Sequence, residues 1–549
     1  MDSLLCVTLS LVSGIIAFKA GVLQAADSVS SHSGVFVLLF AVPFLAIKWY
    51  RAVLYPRYFS PLRHLPTAKG GLPFIGHAIN HLRCKTPSEP YIEWMKQWPE
   101  APLIRYISFM GKENLFAISS EAHRQIFQAK CYDFQRPGWW NRVVRTFLGS
   151  GLVTMDGDMH VAHRKMVNPC FAASKINALL PTLKTSAAGL TNLLDRFIVA
   201  QDHPDGAAVL HCSDLFARYT LDIIGVAVLG KELSNLTTRS ERNGGPENDY
   251  TFHQAWRDIF DSYRLGKLIL FLAPSVPFLR WLPLQINYRF KRATAFIFHS
   301  VRRLIRERKA EITDGMAAGT YKGSKDILSF VVEESLPGGA AEGMDEQQLV
   351  DHITTFLGAG FETSALALSW VVYALVENQE VQRELRAEAS AFFDKHPDPS
   401  VADINSLTYA ENVIKETLRL WTPVVMVRQA SRDVTIDGTW IPRGTDVDIF
   451  GDALQRNPTI WGEDAEVFDP TRWDRLTATQ ASPHVYMAFG AGPKGCIGRY
   501  LAMMEMKVIL IEMIRNFEFI CVEGSFTVDV PSFNLHPSGM KIRMRRITA

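Results

Sequence analysis

The run Phe489-Gly490-Ala491-Gly492-Pro493-Lys494-Gly495-Cys496-Ile497-Gly498 decides the fold of this 549-residue chain. A lone cysteine is most often a small buried hydrophobe. This one follows three glycines and a proline set within six residues. Such a stretch makes a tight turn whose backbone N–H groups point at the sulfur, and amide hydrogen bonds stabilise a thiolate and tune any metal it holds. The next residues, Arg499-Tyr500-Leu501-Ala502-Met503-Met504-Glu505-Met506, read as a helix. The sulfur therefore lies near a helix N-terminus, where the dipole favours its negative charge. A single axial thiolate on such a loop suits haem iron, where it pushes electron density toward O–O cleavage.

Composition narrows the setting of that loop. The chain is 48% hydrophobic and 21% charged, an ordinary globular balance. With 58 basic and 56 acidic residues its net charge is +2, too small a field for a nucleic-acid partner. Seven cysteines are widely spaced, with no Cys-x-x-Cys pair. That excludes a disulfide framework and a structural zinc site, and fits a reducing compartment.

Apolar residues at three- and four-residue spacing predict helices over Ala173–Ile198, Leu210–Leu229, Tyr288–Ile312, Asp345–Val376, Gln379–Phe393 and Ser406–Leu420. Short strand-like runs occur at Leu103–Phe109, Leu115–Ile118, Val434–Ile436 and Asp446–Phe450. Long helices beside a few short strands predict a mostly helical α+β domain. The polar stretch Ser234–Asn248 reads as a surface loop. No repeat is evident.

Two apolar stretches open the chain, Leu4 to Ala26 (broken by Lys19) and Gly34 to Ile47. A spanning helix needs roughly 20 apolar residues, so each is borderline. A cleaved signal peptide fits the first less well, because the start carries Asp2 and a second apolar segment follows at once. Lys48, Arg51, Arg57 and Arg63 then accumulate among Trp49, Tyr50, Tyr55 and Tyr58. Basic residues stay cytosolic and Trp and Tyr favour the interface. Residues 1–55 are expected to anchor a cytosol-facing body, by one span or a two-span hairpin. Pro56, Pro61, Pro66 and Pro73 with Gly70-Gly71 exclude a continuous helix over 56–75, which reads as a stiff hinge. Residues 76–549 form the body.

The cysteine run resembles the haem-binding loop of the cytochrome P450 monooxygenases, Phe-x-x-Gly-x-Arg-x-Cys-x-Gly. Lys494 stands where that pattern usually has arginine, which keeps the charge and loses the bidentate fork. Further segments match in order. Glu416 and Arg419, alone an ordinary i, i+3 helix pair, match the family's Glu-x-x-Arg, and Arg472 matches the arginine it is bonded to. Ala359-Gly360-Phe361-Glu362-Thr363 matches the Ala-Gly-x-x-Thr segment where a long helix crosses the haem. His160 and Arg164, one turn apart, resemble the pair that faces the haem propionates, and Arg428 falls where many members place another such arginine. His163 has no motif behind it.

The resemblance implies a mostly helical P450 fold with small sheets and haem b (iron protoporphyrin IX) as cofactor. By resemblance Cys496 is the metal ligand, and His160, Arg164, Arg428 and Lys494, with Phe489 and Gly498 of the loop, hold the cofactor. Thr363, helped by Glu362, relays protons, and Glu416, Arg419 and Arg472 form a structural network. Phe356, Ala359, Val424 and Val425 are candidate pocket residues, followed by Met426, Trp139 and Trp140. Electrons would come from NADPH through a separate NADPH–cytochrome P450 reductase, since no Gly-rich nucleotide motif is present. The expected substrate is a lipophilic small molecule. The His-x-x-x-Arg form and Asn168-Pro169-Cys170-Phe171 look fungal, which suggests a secondary metabolite such as a terpenoid, alkaloid or polyketide. The expected location is the endoplasmic reticulum membrane. A reductase-independent haem-thiolate isomerase or dehydratase, and a non-catalytic haem protein, are the alternatives. Retention of both Glu362 and Thr363 favours dioxygen activation.

Overall fold

Aromatic and β-branched residues build a five-stranded sheet from Leu103–Ile107 (β1), Glu113–Ala117 (β2), Phe134–Gln135 (β3), Met426–Ala430 (β4) and Asp446–Ile449 (β5). Its order is β1-β2-β5-β4-β3, with β2 and β5 parallel and every other pair antiparallel. The computed structural model describes residues 41–547, apart from 202–205, 234, 236–249, 261–263, 274–275, 324–325 and 340, together with residue 8. The first apolar stretch apart from Thr8, the first half of the second and all but Asn235 of the loop expected over Ser234–Asn248 lie outside the described residues.

The helices that position the site are Gly138–Leu148 (α1), Gly157–Val167 (α2), Cys212–Leu229 (α3), Gln285–Ala317 (α4), Glu346–Glu377 (α5), Gln379–Lys395 (α6), Thr408–Leu420 (α7) and Arg499–Asn516 (α8). The central one, α5, starts on a capping box in which Asp345 and Gln348 satisfy each other's backbone N–H groups. It is apolar nearly all round, as a helix buried on every face must be. Among the described residues α5 alone is long and apolar enough to cross a membrane, with mean hydropathy 1.4 over its most apolar window, and 78% of that window is buried inside the protein.

Two expectations about elements need correction. Ala173–Ile198 is two helices, Ala173–Asn177 and Leu180–Gln201, and Pro181 explains the restart, because proline fits a helix only in its first turn. The segment expected as a hinge over 56–75 is packed. Tyr50–Phe59 is a wide helical turn that runs through Pro56, with Ser60 N–H reaching back to Tyr55 at 2.9 Å. That five-residue reach passes over the donor proline lacks. Beyond it Leu62, Leu65 and Ala68 are buried, and Ala68 N–H donates to the Arg105 carbonyl at 2.8 Å. Gly111 makes this docking possible, because a Cβ there would lie 2.4 Å from Ala52 Cα.

The core has a large helical part and a smaller part against the sheet. The cysteine loop joins them. Met487 and Ala491 belong to the sheet side, and Leu501 and Met504, at the start of α8, to the helical side.

Candidate active site

The cysteine loop is fixed by its backbone. Gly490 and Gly492 take positive φ of 65° and 63°, Gly495 N–H bonds Gly492 at 3.0 Å, and Cys496 N–H bonds Phe489 at 2.8 Å. A Cβ on Gly492 would stand 2.0 Å from the Phe127 carbonyl oxygen, so only glycine lets the loop close against that segment. Cys496 is enclosed deep in the protein, yet its surface is open because it faces a cavity. Burial pushes its thiol pKa up, and the Gly498 and Arg499 amides with the Arg164 and Arg499 guanidinia pull against that rise.

The cavity has two lobes, of about 230 and about 170 Å³. Both are walled by Cys496, Thr363, Ser364, Arg136 and Lys494. Together they reach the scale of a site for a cofactor and a small molecule. The first takes Val424, Val425 and Met426 before and on β4, with Trp140, Arg428 and Phe489. The second takes Phe356 and Ala359 on α5, His160 and Arg164 on α2, and Gly498. Trp139 lines neither lobe; its indole N–H reaches Asp446 at 3.4 Å. Gly360 is small for an added reason: a Cβ would meet the Ile224 side chain of α3 at 2.7 Å.

Four cations crowd one end. Lys494 Nζ donates to Asp156 Oδ1 at 2.7 Å and to the Phe134 carbonyl at 2.9 Å. Arg136, between β3 and α1, pairs with Asp156 at 3.7 Å and lies over the Trp140 ring. Arg164 Nη1 donates to the Gly495 carbonyl at 2.9 Å and ties α2 to the loop. Arg428 is buried over the Phe127 ring, and its guanidinium donates to the neighbouring Val427 carbonyl at 3.0 Å. Burial, then repulsion from Arg136, brings its pKa down to about 9. His160, 2% exposed, is lowered to about 4 by burial and by Lys494, Arg136 and Arg164, so at neutral pH it offers a neutral N–H. Asp156 is the one carboxylate that pairs with these cations among the described residues. The set is short of negative charge.

Arg136 and Asp156 were not foreseen as members of this cluster. The signal lay in Arg136-Pro137-Gly138-Trp139-Trp140, a cation and an aromatic pair at a helix start.

Thr363 and Glu362 face different cavities. Thr363 lines both lobes, while Glu362, one step round the helix, lines a separate small cavity with Asp214, His253 and Arg257. Successive helical residues point about 100° apart, which puts the acid and the alcohol on different faces of α5. The Thr363 hydroxyl donates to the Ala359 carbonyl at 2.8 Å. His163, for which no role was expected, bonds His352 of α5, Nδ1 to Nε2, at 2.8 Å with the rings stacked.

Behind the site, Glu416 and Arg419 are both fully buried. Arg419 also donates to the Gln455, Ala465 and Val467 carbonyls. Glu416 further accepts from the Asp469 N–H, Trp473 Nε1 and Arg472 Nε at 3.0, 3.1 and 3.5 Å. This network pins α7 to the segment ahead of the cysteine loop.

The family model for cytochrome P450 matches residues 66–544 of this sequence. The chain belongs to the cytochrome P450 family. It is similar to the cytochrome P450 monooxygenase sphH of Aspergillus fumigatus, 31% identical over 484 residues that cover 86% of this chain and 85% of that protein. It is also similar to the cytochrome P450 monooxygenase ALT8 of Alternaria alternata, 28% identical with 96% and 95% covered, and to the cytochrome P450 monooxygenase FUM15 of Gibberella moniliformis, 28% identical with 92% of each covered. As a cytochrome P450 the protein is a haem-dependent oxidoreductase. Its residues fit that cofactor. A cysteine opening onto the cavity would supply a sulfur ligand to the iron, and four cations with a single carboxylate leave charge for two propionates.

Proposed function

We propose that this cytochrome P450 inserts one atom of dioxygen into a lipophilic small molecule, a secondary metabolite of terpenoid, alkaloid or polyketide type. NADPH would supply the electrons through a separate reductase, and the N-terminus would hold the enzyme on the endoplasmic reticulum membrane, facing the cytosol. The observation that carries the reading is one cavity walled by Cys496, Thr363, the cation cluster and the apolar side chains of Phe356, Val424, Val425 and Met426. The fungal origin of the relatives supports the substrate class.

Haem, when bound, supplies the dioxygen and one-electron chemistry. The rest belongs to the chain. Cys496 would hold the haem iron through its sulfur, with the Gly498 and Arg499 amides favouring the thiolate. Arg136, Arg164, Arg428 and Lys494 would bind the propionates, and His160 would add a neutral donor. The apolar wall excludes water and accepts the substrate. Thr363 presents its hydroxyl oxygen to the cavity, where it can orient a proton donor.

Incubation of the holoenzyme with reductase, NADPH and an extract of the source organism, followed by mass analysis, tests the proposal. The expected result is a compound heavier by one oxygen, formed only with NADPH. Conversion without NADPH or reductase would overturn it in favour of isomerase or dehydratase chemistry.

A further inference from the structure

A further cavity, of about 400 Å³, lies behind the cysteine loop and has no task in the mechanism above. Phe489 and Ile497 line it, and the same two residues line the lobes on the other side, Phe489 the first and Ile497 the second. The loop is therefore a partition about one side chain thick. Arg499, at the start of α8, opens onto this rear cavity and lines neither lobe.

Charge in the rear cavity is unevenly matched. Lys415 and Lys507 close on one carboxylate, Glu411, at 2.6 and 2.5 Å. Arg499 has no carboxylate partner and its guanidinium makes no hydrogen bond among the described residues. It lies over the Phe489 ring instead, 5.5 Å from the ring centre. The Phe489 carbonyl in turn accepts the Cys496 N–H at 2.8 Å. An uncompensated cation thus rests on the ring that is bonded to the cysteine. Tyr486, whose buried hydroxyl has no partner, shares the cavity and brings no negative charge, because burial pushes its pKa up. Arg164 is the other guanidinium that acts on the sulfur. It bonds the Gly495 carbonyl at 2.9 Å and lines the smaller lobe, where a propionate would take up its charge. No such group meets Arg499. Its field crosses an apolar ring rather than water, and charges interact more strongly through such a medium.

We propose that Arg499 sets the reduction potential of the iron held by Cys496, its positive charge across the Phe489 ring favouring the reduced state. The inference rests on the reading of Cys496 as the iron's ligand. In the step, one electron from the reductase converts ferric to ferrous iron. No bond of the chain forms or breaks, and the net charge of the site falls by one. A nearby cation stabilises the added negative charge and so raises the potential. Arg499 acts through Cys496 and touches no reacting atom.

The test is a redox titration of the substrate-free, full-length holoenzyme, read in the visible spectrum, for the parent and for Arg499→Gln, Arg499→Lys and Arg499→Glu. At the ambient potential that leaves the parent half reduced, the ferrous-to-ferric ratio should fall about fivefold in Arg499→Gln. It should fall further in Arg499→Glu and return close to the parental value in Arg499→Lys. Because Arg499 is exposed, the gap between parent and Gln variant should narrow as ionic strength rises from about 0.01 to about 1 M. Arg515→Gln, which removes a cation of the same helix that lies over Phe393, should leave the ratio unchanged. A Gln variant with the parental ratio, or a Lys variant shifted as far as the Gln variant, overturns the proposal. Where Arg499→Gln fails to hold haem, equal ratios in the Lys and Glu variants overturn it. A parent without a thiolate-type carbon monoxide spectrum would instead overturn the reading of Cys496.

Discussion

Glu416 holds Arg419 through two parallel bonds of 2.8 Å, from Nε to Oε2 and from Nη2 to Oε1, with neither side chain exposed. A buried pair of this kind is weak evidence of net stabilisation, yet removing one partner leaves the other charged and unpaired. Glu416→Ala would strand Arg419 and deprive Arg472 and Trp473 of an acceptor. The expected loss is about 3–5 kcal/mol, read as aggregated or haem-poor protein and a lower unfolding midpoint. A soluble, haem-loaded variant with parental stability would show that the network is dispensable.

The cation cluster predicts how tightly the cofactor is held. Arg136→Ala removes a charge that pairs with Asp156 and repels Arg428. If Arg136 binds a propionate, the variant should transfer haem to apomyoglobin several-fold faster than the parent. Asp156→Asn should do the opposite, because it frees Lys494 and Arg136 for the cofactor. Unchanged transfer rates in both would remove Arg136 from the site.

Local features were legible in the sequence and long-range encounters were not. The α5 helix announced itself by 3–4 spacing, and the cysteine turn by glycines whose positive φ few other residues tolerate. The Lys494–Asp156 contact joins residues 338 apart in the chain, and nothing local marks it. Pro56 gave a true local signal, the lost donor, but the wide turn and the Arg105 bond to its carbonyl overrode the expected break.

The buried pair His163–His352 predicts acid lability. Burial, and then the charge of His163, lowers His352 from 6.5 to about 3. The folded state therefore binds fewer protons than the unfolded state between those values. Stability is intact above about pH 6.5 and is lost as pH falls toward 3, by about 1.4 kcal/mol per pH unit for this group. His352→Phe, which can stack on Phe356, should flatten the decline between pH 7 and pH 5. Parallel denaturation midpoints for parent and variant at both pH values would assign the acid loss elsewhere.

Two truncations should behave differently. A chain lacking residues 1–40 should leave membranes yet keep haem and the parental unfolding midpoint. One lacking residues 1–60 also loses Ala52, packed on Gly111, and the Pro56 carbonyl that accepts from Arg105 Nη1 at 3.0 Å. Leaving a buried donor unpaired costs about 1–3 kcal/mol, so this form should melt earlier. Equal midpoints would mean that the segment lies loosely on the sheet.

Thr363 gives the most direct test of the chemistry. Its hydrogen is engaged by the Ala359 carbonyl, so the hydroxyl faces the cavity as an acceptor, beside Ser364. Thr363→Ala removes that acceptor and little volume, and the variant should still bind haem and substrate. NADPH should still be consumed with reductase present. A proton donor no longer oriented should deliver its proton to the wrong place, so electrons should leave as hydrogen peroxide rather than as hydroxylated product. Product per NADPH should fall by about tenfold or more by that reasoning, with peroxide rising to match. Thr363→Ser keeps the oxygen and loses only a methyl group, so most of the coupling should survive. An alanine variant as tightly coupled as the parent would reduce Thr363 to a packing residue.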